Sequence, residues 1–374
     1  MTTPKEVFVG IDVAKLRNAV AIADAGRDGE IRYMGEFDAS LESMKRLVTR
    51  LAGKYPQLHF CYEAGPTGYG LHRLITELGH SCVVVAPSLI PRKPGDRIKT
   101  NRRDATGLAR LLRAGELTPV WVPDPAHEAM RNLIRSRTAA VETIRAQKQQ
   151  VGAFLLRHSR IFPRQKQWGA RYRRWLQEQS FEQPADQIVL QEYIEAVRLG
   201  EERLGRIEKA IAEFLPDWHL APVVEALQAL RGIDLVVAVS FVVEIGDIRR
   251  FSSPGQLMGY LGLVPTERST GETVRRGSIT KMGNARIRQL VVESAWTYRF
   301  PPRVGVKKQR KLDRVSPKIR EIAWKAQSRL SARFRAFVAR GKKSTVACTA
   351  IARELVGFMW AVAMEVQPAS PTIL

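Results

Sequence analysis

Three β-rich runs follow one another at the start of the chain, and that order constrains the fold more than any other feature. Residues 6–13 (EVFVGIDV), 18–25 (NAVAIADA) and 30–38 (EIRYMGEFD) read as strands. A short turn separates the first two, and Gly26-Arg27-Asp28-Gly29 is a turn signal between the second and third. Ser40 then caps a helix whose Leu41, Met44, Leu47, Val48 and Leu51 keep helical spacing. Residues 58–63 (LHFCYE) form a further strand, Gly68–Leu78 a helix ended by Gly79, and residues 81–86 (SCVVVA) a buried strand. A plain doubly wound sheet would alternate strand and helix from the outset, which this order does not.

Three strands, helix, strand, helix, strand is the order of a ribonuclease H-like α/β fold, expected over residues 1–124. From Pro125 to about Ile161 the chain turns helical, with Met130, Leu133, Ile134, Val141, Ile144, Val151 and Leu155 among charged residues. A second such helix runs from about Asp186 to Leu215, and a basic, tryptophan-containing link (Phe162–Gln179) joins the two. Residues 125–217 therefore read as a helical hairpin or coiled-coil arm, suited to dimerisation, holding protomers together, or to partner binding. Residues 218–366 read as a mainly helical C-terminal domain, followed by a loose tail. Here VVEALQALRGID ends a helix at Gly232 and LVVAVSFVVEIGDIRRF begins another. A turn of that kind often presents backbone amides to a phosphate, although any helical hairpin looks the same in sequence.

Charge narrows the partner. Lysine and arginine number 60 against 37 acidic residues, a net charge of +23. Residues 264–343 alone hold 22 basic and 5 acidic residues, interleaved with Trp296, Tyr298, Phe300, Trp324 and Phe334. A polyanion, nucleic acid above all, is the expected partner, with binding that weakens steeply in salt. No run of 18 or more apolar residues appears, so no membrane span is expected. The N-terminal MTTPKEVFVGIDVAK lacks the apolar core of a signal peptide, and a cytoplasmic location is expected. Cys61, Cys82 and Cys348 stand singly, which argues against disulfides and structural zinc.

Three acids are candidates for chemistry. Asp12 lies in the apolar strand of VGIDVAK, Glu63 closes the strand before AGPTGYG, and Asp104 sits in KTNRRDATGLARLL, where a basic loop enters a helix. In a ribonuclease H-like sheet such acids converge and bind two Mg²⁺ (or Mn²⁺) about 4 Å apart for phosphodiester chemistry. Singly, each acid also fits a turn, a strand end, or an ion pair to Arg102 or Arg103. Further on, Ser269, Thr270, Gly271, Arg275, Arg276, Gly277, Ser278, Thr280, Lys281 and Gly283 crowd a polar loop that structure alone does not require.

The whole set resembles the DEDD-type transposases of bacterial insertion sequences, the group described as bridge-RNA-guided recombinases. The resemblance rests on GIDVAK, YEAGPTGYG, KTNRRDA, RGID…EIGDIRRF, GLVP, STG and GSITKMGNARIR in that order along nearly the whole chain. It implies a RuvC-like domain, a coiled-coil insertion and a transposase domain with a catalytic serine. Residue by residue, the metal ligands fall on Asp12, Glu63 and Asp104. Asn101 stands where the family pattern DxxDA has its first aspartate, and brings a carbonyl oxygen but no charge. The nucleophile falls on Ser269 or Thr270: Thr270 directly precedes the glycine, while Ser269 is the less hindered primary alcohol. Arg102, Arg103, Arg275, Arg276, Lys281, Arg286 and Arg288 would contact nucleic acid. The resemblance further implies donor and target DNA as partners, a structured non-coding guide RNA, and a homodimer that becomes a tetramer in the synaptic complex.

Other readings stand beside it. A metal-dependent junction nuclease needs the acids but not the hydroxyl-rich loop. A non-catalytic basic nucleic-acid-binding protein needs neither. An actin-like sugar kinase also begins with an aspartate in a hairpin, but lacks its glycine-rich adenosine motif here, and a net charge of +23 suits no sugar.

Overall fold

The structure, a computed structural model of the chain, describes residues 5–91, 100–163, 167–270 and 273–367. The chain forms two compact units, residues 1–122 and 123–374. Most of the expected tail lies outside the described residues.

The first unit is a five-stranded sheet with helices on both faces. Its elements are β1 (Glu6–Asp12), β2 (Arg17–Asp24), β3 (Ile31–Asp38), α1 (Leu41–Ala52), β4 (Gln57–Glu63), α2 (Gly70–Glu77), β5 (Ser81–Val85) and α3 (Asn101–Arg113). Strand order is β3-β2-β1-β4-β5. The first three strands pair antiparallel as a meander, and β4 and β5 join parallel to β1. This mixed α/β arrangement agrees with a ribonuclease H-like domain. The Ser40 hydroxyl accepts from the Ser43 amide and starts α1, whose Met44, Leu47, Val48 and Leu51 are buried.

The two faces of the sheet differ in kind. Val7, Val9 and Ile11 of β1 join Leu58, Phe60 and Tyr62 of β4 in the core with α1 and α2. On the other face Ala19, Ala21 and Ala23 make a flat floor for Ala105 and Ala109 of α3. Gly10 permits that closeness: a Cβ there would stand 2.4 Å from both the Ala105 carbonyl oxygen and the Ala109 nitrogen. Side-chain alternation along the strands thus assigns one face a thick apolar core and the other a tight helix.

The second unit is mostly helical. Its two long helices, α4 (Pro125–Arg157) and α6 (Pro184–Phe214), flank a short α5 (Ala170–Gln177) that forms within the expected link. They run antiparallel, pairing Arg137 with Glu208, and Lys148 with Glu201. Near the hairpin's closed end Val151, Phe154 and Leu155 pack with Tyr172, Leu176, Leu190 and Val197 in a core of their own.

A larger core follows, built from α7 (Ala221–Leu227), α8 (Leu235–Ile245), α9 (Pro254–Tyr260), α10 (Ala285–Ala295), α11 (Val306–Leu312), α12 (Pro317–Ala339) and α13 (Ser344–Val366). Helix α8 stops earlier than its apolar run suggests because Gly246 takes a left-handed φ of 69° and ends it. The stretch expected as a polar loop is a two-stranded hairpin, β6 (Pro265–Glu267) and β7 (Arg276–Ile279). Helix α13 is long and apolar enough to cross a membrane by length and composition, although no unbroken run of apolar residues is. Nine of its residues, from Ala347 to Ala363, are buried within this unit, so the apolarity serves a protein core.

Candidate active site

Asp12 and Glu63 are the last residues of β1 and β4, which are parallel neighbours with Ile11 beside Tyr62. Alternation fixes their face. Val9, Ile11, Phe60 and Tyr62 point into the core with α1 and α2. Gly10 and Asp12, like Cys61 and Glu63, therefore lie on the face that α3 covers. Helix α3 runs antiparallel to β1. Its Arg113 donates to the carbonyls of Asp24 and Gly29 at one end. Its Asn101 amide donates to Glu36 Oε1 at 3.4 Å at the other, where Asp12, Ala19 and Glu36 form one cross-strand row. Asp104, in the first turn of α3, thus comes to the same end of the sheet as Asp12 and Glu63.

Asp104 Oδ2 is buried and accepts no hydrogen bond. An acceptor stripped of water without a donor costs about 1–3 kcal/mol, more when charged, and a cation would relieve it. That observation suits a cation beside Asp104. Among the described residues, however, no three acidic, histidine or cysteine side chains stand close enough to hold one ion. The acids share a face and an end, but not a closed shell.

The second constellation is the β6–β7 hairpin. Ser269 Oγ donates to Glu267 Oε1 at 2.9 Å, and Arg276 Nε donates to Glu267 Oε2 at 3.3 Å. The Ser269 hydroxyl and the Arg276 guanidinium hold the exposed Glu267 carboxyl below its ordinary range. Thr270 pairs through its backbone with Thr273 at 3.2 and 3.1 Å. Gly271, which sets the register of the expected nucleophile, lies outside the described residues. A hydroxyl two positions beyond a carboxylate on an extended strand can meet it, because side chains two apart share a side. Glu267 is therefore legible in the sequence TERST, two residues before Ser269.

With these geometries in place the chain can be set beside known proteins. Residues 9–160 match the family described as a DEDD-type IS110 transposase, and residues 224–304 match the "Transposase IS116/IS110/IS902 family". The chain is 63% identical over 361 residues to "Putative transposase y4qE" of Sinorhizobium fredii, covering 96% of this chain and 89% of that protein. It is 30% identical over 301 residues to the transposase for insertion sequence element IS1533 of Leptospira borgpetersenii, covering 79% and 86%. This chain belongs to the DEDD-type IS110/IS116 family of transposases. The first matched stretch contains Asp12, Glu63, Asn101 and Asp104. The second contains Ser269 and Thr270.

The expected cations of this transposase divide by environment. Arg275, Arg276 and Lys281 are exposed. The Arg102 guanidinium lies 5.4 Å from the Tyr33 ring centre, and Arg103 follows it on α3 with contacts of its own. Arg288 is committed elsewhere: its guanidinium donates to the carbonyls of Leu261 and Met282 at 3.0 and 2.7 Å. Arg286 is half-buried and 3.6 Å from Glu142, and its burial lowers its pKa.

Beyond the second matched stretch lies Lys308, which the sequence reading does not single out. Its ammonium donates to the carbonyls of Gln228, Leu230 and Ile233 at 2.6, 2.7 and 3.3 Å. Burial, with Lys311 nearby, pushes its pKa down to about 8. Three converging acceptors call for the three N–H donors of the protonated form. Lys308 thereby fixes the turn between α7 and α8, where Gly232 adopts φ 79° and packs beneath the Ser294 carbonyl.

Proposed function

We propose that this transposase cuts and rejoins DNA strands to move an insertion sequence, with Ser269 as the attacking group. The observation that carries the reading is the contact from Ser269 Oγ to Glu267. A neutral hydroxyl is a poor nucleophile, and a carboxylate already accepting its hydrogen bond is placed to take its proton. Ser269 Oγ would form a bond to phosphorus as the phosphodiester's bridging oxygen departs, and the Ser269 proton would pass to Glu267 Oε1. Arg276 steadies that carboxylate as an anion, while exposed Arg275 and Lys281 suit the DNA backbone. Thr270 is the rival nucleophile.

Asp12, Glu63 and Asp104, with the Asn101 carbonyl oxygen, would hold Mg²⁺ or Mn²⁺, which would polarise a phosphate and stabilise charge on a leaving oxygen. Asn101 presents its amide to Glu36, so its carbonyl oxygen is the end available to a cation. The family resemblance extends the proposal to a structured guide RNA that selects donor and target by base pairing. It also extends it to a homodimer, assembled as a tetramer on DNA, with the α4–α6 hairpin as its contact. The proposed place of action is the cytoplasm.

The test uses DNA carrying the element's ends, with RNA transcribed from its non-coding flanks. A protein–DNA adduct that survives denaturant should form, and its attached peptide should contain Ser269. Ser269→Ala should abolish the adduct, and Thr270→Ala should only slow it. If cleavage persists without an adduct in Ser269→Ala, the metal-dependent nuclease is the better reading.

A further inference from the structure

One cavity of the second unit shares only Lys281 with the groups used above. It has a volume of about 760 Å³ and opens between the β6–β7 hairpin and helices α12 and α13. Its walls are of two kinds. Met258, Leu263, Ile279, Phe337, Val346 and Ala350 supply an apolar side. Lys281, Arg329, Arg333 and Arg353 supply four cations against a single carboxylate, Glu354. Arg329 and Arg333 each reach Glu354 through Nε, at 2.9 and 2.6 Å, which fixes both guanidiniums at the wall. Arg333 also lies 5.3 Å from the Phe337 ring centre. Among the described residues neither Lys281 nor Arg353 has an acidic partner. The cavity is therefore short of negative charge.

The backbone gives a separate indication. Lys281 holds a left-handed φ of 57°, a conformation that costs a non-glycine residue about 1 kcal/mol or more. Its amide donates to the Gly262 carbonyl at 3.1 Å, and Gly262 and Gly283 on either side also take positive φ. A glycine would meet the same requirement without strain. Holding a lysine there instead places an ammonium at the cavity mouth, the pattern of strain retained for use.

We propose that this cavity receives a single nucleotide of a DNA strand, its base against the Phe337 and Met258 wall and its phosphate on Lys281, Arg329, Arg333 and Arg353. A small anion would satisfy the cations but leave the apolar wall wet. A base can lie on that wall only when it has left the helical stack, so the occupant is an unpaired nucleotide at a strand end or junction. Gly277, Ser278 and Ile279 of β7 line the cavity and belong to the hairpin that leads to Ser269. The inference rests on this transposase acting on DNA and is independent of which hydroxyl attacks.

The test measures binding of the full chain to a fluorescent 20-nucleotide single strand and to its duplex. Ala350→Trp lays an indole over part of the apolar wall, where the base would lie, without altering charge. Its affinity for the single strand should fall about tenfold or more, the scale of one stacked base, while duplex affinity holds. Arg353→Ala should weaken single-strand binding and lower its salt dependence by about one phosphate contact. Equal losses on single strand and duplex, or no loss in either variant, would overturn the nucleotide pocket and leave action on DNA intact. A wild-type chain that binds neither DNA, with or without RNA transcribed from the element's flanks, would overturn the proposed action on DNA with it. Photo-crosslinking of wild type by 5-iododeoxyuridine strands needs no altered fold. The adduct should map to peptides containing Phe337 or Met258, and crosslinks only elsewhere would reject the pocket.

Discussion

Acid should destabilise the second unit through one histidine. His127 on α4 is fully buried, hydrogen-bonds the Val243 carbonyl on α8 through Nε2 at 2.8 Å, and packs edge-on to Trp218 at 5.3 Å. Burial pushes its pKa down from 6.5 to about 4; the Val243 carbonyl opposes the shift and Arg131 adds to it. The unfolded chain takes up a proton near pH 6.5, whereas the folded chain resists it until about pH 4. Between those values the unfolded state binds more protons, so stability is complete above pH 6.5 and is lost as pH falls toward 4. At about 1.4 kcal/mol per pH unit, the gap amounts to about 3 kcal/mol. For a unit of this size that is roughly 6–12 °C in Tm. His127→Gln keeps an amide able to donate toward Val243 and carries no titrating proton. Thermal melts followed by circular dichroism at pH 7, 6, 5 and 4 would compare the two chains. Carboxylates common to both cancel in the difference, which should move by about 3 kcal/mol in favour of the variant as pH falls. Parallel curves for wild type and variant would refute the argument.

Two further outcomes follow from single side chains. Lys308→Met leaves the carbonyls of Gln228, Leu230 and Ile233 without their donor, and should cost about 2 kcal/mol even after relief of the buried charge; a melt within 1 °C or so of wild type would count against the clamp. Asp104→Asn removes a carboxylate whose Oδ2 is buried without a donor, and should raise stability by about 1 kcal/mol while abolishing strand cleavage. A destabilised Asp104→Asn variant would mean that this carboxylate is satisfied in the resting protein, and retained cleavage would remove it from the metal site.

Much of the first unit is legible in the sequence because its sheet has one face of each kind. EVFVGIDV and LHFCYE stand out as β-rich runs, buried on both faces near their ends, and Ser40 announces α1 through its own hydroxyl. The second unit is less legible for two physical reasons. Helix α8 is apolar on all sides, so periodicity gives no stop, and only the positive φ of Gly246 ends it. The β6–β7 hairpin is short and exposed, and its strands carry Thr266, Glu267, Arg276 and Ser278, residues that read as a loop when burial supplies no alternation. The helix within the basic link is hidden similarly. Tyr172 and Leu176 are the buried residues of α5, held by a core contributed from α4 and α6.

The candidate site is legible to unequal depth because its two halves rest on different kinds of signal. An aspartate ending an apolar strand is conspicuous, since its surroundings argue against a charge. Asp12 and Glu63 are conspicuous in this way, Asp104 is not, and strand order carries all three to one end of one face. A hydroxyl in a polar stretch has no such contrast, and register favours Thr270 while residue type favours Ser269. The hairpin adds a partner that residue type does not reveal: the Ser269 hydroxyl meets Glu267, while the Thr270 backbone pairs with Thr273. Lys308 illustrates the remaining limit. One lysine in VKKQRKL differs from its neighbours only because the turn at Gly232 brings three carbonyls to it, and that turn lies some 75 residues earlier in the chain. No local pattern encodes such a partner. The acids declare themselves through what they displace, and the clamp and the pocket only through what they meet.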